Sequence, residues 1–190
     1  MPAKSTFKII VAGDGGVGKT TLLHRYIENR FKFDTKMTIG VEIFNKIVNF
    51  ERDSYCSLQI WDFSGQERFK FLLDSFVMGA KGALVLFDLT KSPRFLERID
   101  GWVNLIEKQN KNVPMVLIGT KADLEDKILI KEEEISNLME KYNFLQFFTT
   151  SSKTGLNVNE AFYFLTLELN KRIQLTYSDF LSNERILKNE

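Results

Sequence analysis

Three short stretches of this chain hold residues whose types and spacing can do chemistry. The first is "GDGGVGKT", residues 13–20, which fits the spacing G-x-x-x-x-G-K-[ST]. Glycines packed this densely cost backbone entropy on folding, so the backbone there has something to wrap around. Successive N–H groups of residues 15–20, backed by the positive end of a following helix, form an anion cradle. Lys19 adds a point charge for β- and γ-phosphates, and the Thr20 hydroxyl is a ligand for Mg²⁺. Gly13, Asp14, Gly15, Gly16, Val17, Gly18, Lys19, Thr20 and Thr21 are therefore read as a phosphate-binding loop. A ligand-free glycine turn is the alternative, and it explains neither the lysine nor the threonine.

The second stretch, "LQIWDFSGQE" (58–67), puts Asp62 at the carboxyl end of an apolar strand. A carboxylate there is placed to help fix Mg²⁺, with a turn cap as the plainer reading. Gly65 lacks a Cβ and can bring its N–H to a γ-phosphate, and Gln66 is neutral, suited to orienting a water. The third is split between "GTKAD" (119–123) and "TTSSKTG" (149–155). Asp123 can accept from the N1–H and the exocyclic amine of guanine, a pair that adenine does not offer. Thr120 and Ser151 lie in these two motifs, the Lys121 stem can cover the base, and the Ser152 N–H can reach guanine O6. Lys153 then packs on the other side. Read together and in this order, the stretches describe a guanine-nucleotide site.

Such a site needs strands that end at these loops. "FKIIVAG" (7–13), "GALVLFDL" (82–89) and "PMVLIGT" (114–120) are continuously apolar, the pattern of strands buried on both faces of a parallel sheet; "QFFTTSS" (146–152) is a weaker fourth. "VEIFNKIVNF" (41–50) and "YCSLQIWDF" (55–63), joined by "ERDS", read as a hairpin that adds an antiparallel edge. Helical stripes follow at Leu22, Leu23, Tyr26 and Ile27, at Leu96, Ile99, Trp102, Val103 and Ile106, and at Val158, Phe162, Leu165, Leu169 and Ile173. "KEEE" (131–134) opens another helix, where acidic residues suit the positive end. The fold expected is α/β, with a mostly parallel six-stranded sheet between helical layers and ligands at the carboxyl ends of the strands.

Composition excludes several classes. With 26 basic and 25 acidic side chains the net charge is +1, so no global field points to nucleic acid. The single cysteine, Cys56, excludes an internal disulfide and alternates with Leu58 and Ile60 as a buried strand residue does. His24, the only histidine, has no second histidine or cysteine to share a metal. Trp61 points opposite Cys56, Leu58 and Ile60; it is either packed or, with Phe44 and the phenylalanines downstream, part of an exposed aromatic patch for a partner. No signal peptide opens the chain and no run approaches the ~20 apolar residues of a membrane span, so a soluble cytoplasmic monomer is expected.

The motifs resemble those of small GTPases of the Ras superfamily, most of all the Rab branch. "TIGVEI" (38–43), "LQIWD" (58–62), "GQERF" (65–69) and "GAKGALVLFDLT" (79–90) carry the likeness, which covers roughly residues 7–175 between a short extension (1–6) and a tail (176–190). The resemblance implies that Thr38 closes on Mg²⁺ and the γ-phosphate in the GTP state and that Phe31 stacks edgewise on guanine. It implies a switch I near 33–42 and a switch II near 62–76, read by effectors, an exchange factor and an activating protein. Hydrolysis would use Gln66, Lys19 and Thr38. With no arginine assigned to the reaction, it would be slow, on the order of 10⁻⁴ to 10⁻² per second. A binding module with negligible hydrolysis is the alternative; a P-loop phosphotransferase is a more distant one that leaves Asp123 without a role.

Several residues depart from the family pattern. Thr120 stands where asparagine is usual; it can still donate one hydroxyl, but an amide bridge between guanine and the phosphate loop is expected to be lost. Phe63 and Ser64 replace Thr-Ala, and Thr35 replaces an aromatic residue. The tail has no cysteine to prenylate, and two basic residues (Arg185, Lys188) face three acidic ones (Asp179, Glu184, Glu190). No membrane anchor is expected within it, so membrane association would come through partners or a further tail.

Overall fold

A computed structural model describes residues 5–32, 38, 40–50, 55–63 and 70–187, with 70–72 and 176–187 traced as backbone. Six strands form one sheet: β1 (Ser5–Ala12), β2 (Val41–Asn49), β3 (Tyr55–Phe63), β4 (Gly82–Asp88), β5 (Met115–Thr120) and β6 (Phe147–Thr149). Their order is β2-β3-β1-β4-β5-β6, with every pairing parallel except β2 with β3. That is the expected sheet with one antiparallel edge. The hairpin turn read at "ERDS" lies outside the described residues. The strand expected over 146–152 is cut to three residues. Beyond it Thr150 N still bonds Gly119 O of β5, and the Ser151 backbone turns away to pair with Leu156.

Five helices cover the sheet: α1 (Lys19–Glu28), α2 (Lys70–Val77), α3 (Arg98–Gln109), α4 (Glu132–Tyr142) and α5 (Val158–Leu187). The period-2 alternation of the strands divides the core in two. Ile9, Val11, Cys56, Leu58, Ile60, Leu84 and Leu86 face Leu22, Leu23 and Tyr26 of α1 and Phe162 and Leu165 of α5. Ile10, Ala12, Phe63, Val85 and Phe87 face Leu73 and Val77 of α2 and Ile99, Trp102 and Ile106 of α3. The tightest joint lies between α1 and α5, where the Tyr26 and Phe162 rings stack at 3.8 Å. Cys56 is fully buried and burial pushes its thiol up to about 11, as a strand residue in the core requires.

The structure resolves the two readings of Trp61. Ile43 lies opposite Trp61 and Phe44 opposite Ile60, so Trp61 and Phe44 point to different faces of the sheet. Trp61 packs on Phe76 of α2, while Phe44 meets His24 edge-on from α1. Among the described residues no aromatic patch joins these two. Ile173, expected on the apolar stripe of α5, is 44% exposed because the helix has by then passed the edge of the core. The helix continues past residue 175 as far as Leu187. Among the described residues no helix is long and apolar enough to cross a membrane.

Candidate nucleotide site

Parallel strands β1, β3, β4 and β5 deliver their carboxyl ends to one edge of the sheet, where the three chemical stretches meet. The chain leaves β1 into residues 13–18 and enters α1 at Lys19. Gly13 adopts φ +144°, and a Cβ there would stand 2.5 Å from the Leu86 carbonyl oxygen, so no side chain fits. Gly18 caps α1 in the left-handed region, at φ +101°, with no side-chain cap. The first helical bond runs from Leu22 N to Gly18 O at 2.8 Å. With no side-chain cap, the N–H groups of Lys19 and Thr20 at the head of α1 face the space an anion would take.

Four carbonyls of this loop, those of Gly13, Asp14, Gly16 and Val17, are tied down by side chains. Lys19 is 6% exposed, and its ammonium donates to Gly13 O at 2.7 Å and Asp14 O at 2.9 Å. Burial lowers its pKa to about 8, against the pull of Asp62 and Asp14. Two of its three N–H bonds are used, leaving one for a ligand. The Thr120 hydroxyl lies 2.7 Å from Val17 O and 3.0 Å from Phe87 O. The one hydroxyl that the Asn-to-Thr departure leaves for donation thus reaches the phosphate loop, keeping the loop half of the amide bridge. Thr120 itself is 3% exposed, below the loop. Lys121, at φ +64°, sends its ammonium to Gly16 O at 3.2 Å and to Asp88 at 2.6 Å. The Asp14 carboxylate accepts from Trp102 Nε1 at 3.1 Å and Arg98 Nη1 at 2.9 Å, both on α3. Between the loop and α3 a cleft of about 70 Å³ remains, walled by Leu86, Phe95, Ile99 and Trp102. There the loop is held by these bonds rather than by packing.

Opposite the loop, three oxygen groups converge. Thr20 Oγ1 donates to Asp62 Oδ2 at 2.5 Å and lies 2.8 Å from Thr38 Oγ1, which is itself 3.4 Å from Asp62 Oδ2. Asp62 is fully buried and its other oxygen, Oδ1, has no hydrogen-bond partner. Burial raises its pKa, partly offset by the Thr20 hydroxyl and Lys19. A buried carboxylate oxygen with nothing to bind is costly. Hard oxygen donors around such an atom are the donor set that Mg²⁺ takes. The residues fit the ion.

At the far end, Ser151 Oγ donates to Asp123 Oδ1 at 2.6 Å, which orients the carboxylate and leaves Oδ2 without a partner among the described residues. Ser151 thus holds Asp123. Phe31, 39% exposed, follows α1. Thr21 sits in the first turn of α1. Gly65 and Gln66 lie outside the described residues.

Comparison with known proteins decides the family. Residues 8–171 match the Ras family. The chain belongs to it. Over 185 residues it is 38% identical to Ras-related protein Rab-2B of Dictyostelium discoideum, across 97% of this chain and 87% of that one. It is 40% identical over 156 residues to Ras-related protein Rab-4A of Mus musculus (82% and 71%), and 34% identical over 165 residues to the Ypt/Rab-type GTPase YPT7 of Saccharomyces cerevisiae (84% and 79%). Within the Ras family these relatives place it in the Rab branch, among GTP-hydrolysing small GTPases.

Three supports of this Ras-family site were not read from the sequence. Asp88 is 3% exposed and accepts from Thr90 N and Thr90 Oγ1 as well as from Lys121. Burial pushes its pKa up, but Lys121 and Thr90 outweigh it and hold the carboxyl below the usual range. A polar residue ending a wholly apolar strand was the available signal. Arg98 and Trp102 reach Asp14 across 84 and 88 residues, and no local pattern marks that contact. Arg25 reaches Ser152 and Lys153 in the same way. The Thr120 contact is open to test. Thr120→Val keeps the shape and leaves Val17 O without its donor, which should cost about 1–3 kcal/mol in urea unfolding of the nucleotide-free protein. An unchanged midpoint would show that the hydroxyl does not hold the loop.

Proposed function

We propose that this small GTPase is a Mg²⁺-dependent GTP/GDP switch that hydrolyses GTP slowly unaided and signals to protein effectors through residues 33–42 and 62–76, in membrane trafficking. The meeting of Thr20, Thr38 and Asp62 carries the reading. A hydroxyl of the phosphate loop, a residue of the first switch segment and the carboxylate at the root of the second share one cluster. Whatever binds there pulls on both segments, so they report whether a γ-phosphate is present.

In this reading the N–H groups of residues 15–20 take the β- and γ-phosphates, and the remaining Lys19 N–H stabilises charge as the bond to the γ-phosphate breaks. Thr20, Thr38 and Asp62 hold Mg²⁺, which, when bound, neutralises charge on the phosphate oxygens. Gln66 orients the water for in-line attack. Gly65 supplies an N–H to the γ-phosphate. Asp123 accepts from guanine N1–H and the 2-amine, with Lys121 and Lys153 along the base faces and Phe31 at its edge. No arginine of the chain is assigned to the transition state, so turnover is on the order of 10⁻⁴ to 10⁻² per second without an activating protein.

Thr20→Asn replaces the hydroxyl with a bulkier amide. It should weaken GTP more than GDP, since only GTP also recruits Thr38, and should flatten the effect of EDTA on GTP affinity. Equal affinities for both nucleotides and wild-type sensitivity to EDTA would remove Thr20 from the metal site. Gln66→Leu keeps the approximate size but deletes the amide, so single-turnover hydrolysis should fall at least tenfold with GTP affinity intact, the signature of a lost transition-state interaction. Wild-type hydrolysis in that variant would favour a binding module over a switch.

A further inference from the structure

We infer that Arg25 is a positioning residue for guanine recognition, fixing the two peptides that directly follow the Ser152 N–H and so the stretch of main chain that reads the O6 of the base. The inference rests on the guanine-nucleotide reading and concerns a residue outside every motif that supports it. Arg25 lies on α1, five residues after Thr20, about 8 Å further along the helix at 1.5 Å per residue. Among the described residues its guanidinium bonds only to the Asn29 side chain and to main-chain carbonyls. Nε donates to Ser152 O at 2.6 Å, Nη2 to Lys153 O at 2.8 Å and Nη1 to Asn29 O at 3.0 Å. Among the described residues no carboxylate pairs with it. A guanidinium is a rigid planar fork, so holding two consecutive carbonyls fixes the orientation of the strand of chain that carries them.

That orientation has a consequence for the donors. The described peptides are all trans, so each N–H points opposite to the C=O of the same peptide unit. With Ser152 O drawn to Arg25, the N–H of Lys153 points away from Arg25. The Ser151 carbonyl accepts from Gly155 N at 2.8 Å, which turns the Ser152 N–H away from Gly155. The other donors of the loop are used within the protein. Thr150 N goes to Gly119 O, Ser151 N to Leu156 O, Thr154 N to Ser151 Oγ and Leu156 N to Thr154 Oγ1. Among the described residues, only the N–H groups of Ser152 and Lys153 between Thr150 and Leu156 have no protein acceptor. Two adjacent free donors, the Lys153 N–H on a peptide that Arg25 holds and the Ser152 N–H on the peptide before it, suit a carbonyl oxygen on a flat ligand. The neighbouring Ser151 holds Asp123, so the donor pair and the carboxylate acceptor belong to one recognition surface.

Arg25 also joins the two ends of the site. The helix that begins with Lys19 and Thr20 carries the residue that orients the base loop, so α1 sets the spacing between phosphate cradle and base reader. This support is absent from the three sequence motifs because it acts through backbone 127 and 128 residues away.

The test separates O6 recognition from plain stability. GDP, 6-thio-GDP and IDP are titrated into wild type, Arg25→Met and Arg25→Lys. The 6-thio base keeps N1–H and the 2-amine and replaces only the O6 acceptor; IDP keeps O6 and lacks the 2-amine read by Asp123. Arg25→Met should lower GDP affinity by up to about tenfold, the range of one or two net hydrogen bonds. It should shrink the GDP to 6-thio-GDP preference and leave the GDP to IDP preference as in wild type. Arg25→Lys, with a single cation able to hold one carbonyl, should recover part of the O6 preference and serves as the test if the methionine variant does not fold. An unaltered preference for O6 in either folded variant, or equal loss for all three nucleotides, would make Arg25 a general structural residue and overturn the inference. Wild-type protein that binds no GDP would instead overturn the nucleotide reading on which it rests.

Discussion

A loop that binds its ligand through main-chain N–H groups has to be held from the carbonyl side, because it has almost no side chains of its own to pack. Residues 13–18 are mostly glycine, and each peptide that turns its N–H toward a phosphate turns its C=O the other way. Those carbonyls are where the rest of the domain takes hold. Lys19 takes Gly13 and Asp14, Lys121 takes Gly16, and Thr120 takes Val17. Lys19 comes from the start of α1 and Thr120 and Lys121 from the end of β5, so the register of β1 against β4 and of β4 against β5 fixes where the cradle opens. Asp14, the one charged residue of the glycine run, extends the same logic to α3.

The base end is built on the same constraint. Ser151 orients Asp123 with a hydroxyl, Arg25 orients Ser152 and Lys153 through their carbonyls, and Asp88 anchors Lys121 from below. Buried charges used in this way are paired or hydrogen-bonded, and each would be costly to strand. Asp62 Oδ1 is the exception, a buried acceptor without a donor. It stands where the phosphate loop, the segment of Thr38 and the start of residues 62–76 meet. A cation there satisfies the carboxylate and couples the three.

Much of this was legible in the sequence, for identifiable reasons. The apolar runs at 7–13, 82–89 and 114–120 are buried on both faces, so each announced a central parallel strand, and the loops after them had to form the site. Gly13 and Gly18 were legible as glycine because their backbone conformations admit little else. Trp61 and Phe44 were ambiguous because period-2 alternation says that two residues differ in face only once the strand register is known. Residues 147–149 ended early because Ser151 pairs within its own loop, its N–H with Leu156 O and its carbonyl with Gly155 N, a turn the apolar pattern of 146–152 does not encode. Thr120 was placed correctly and given too little: its hydroxyl reaches a carbonyl 103 residues away, which the substitution pattern alone does not show. Trp102 was read only as part of an apolar helical stripe, and Arg25 and Arg98 were not singled out, for the same reason.

The central claim is that the supported loop and the Asp123 surface together hold a guanine nucleotide. The most direct measurement is the nucleotide content of the protein as purified, released by denaturation and separated by ion-pair chromatography. The account predicts close to one equivalent of GDP or GTP per chain and no adenine nucleotide. Protein that is folded yet carries no nucleotide and gains none on incubation with GDP and Mg²⁺, or that carries ADP or ATP, would contradict it.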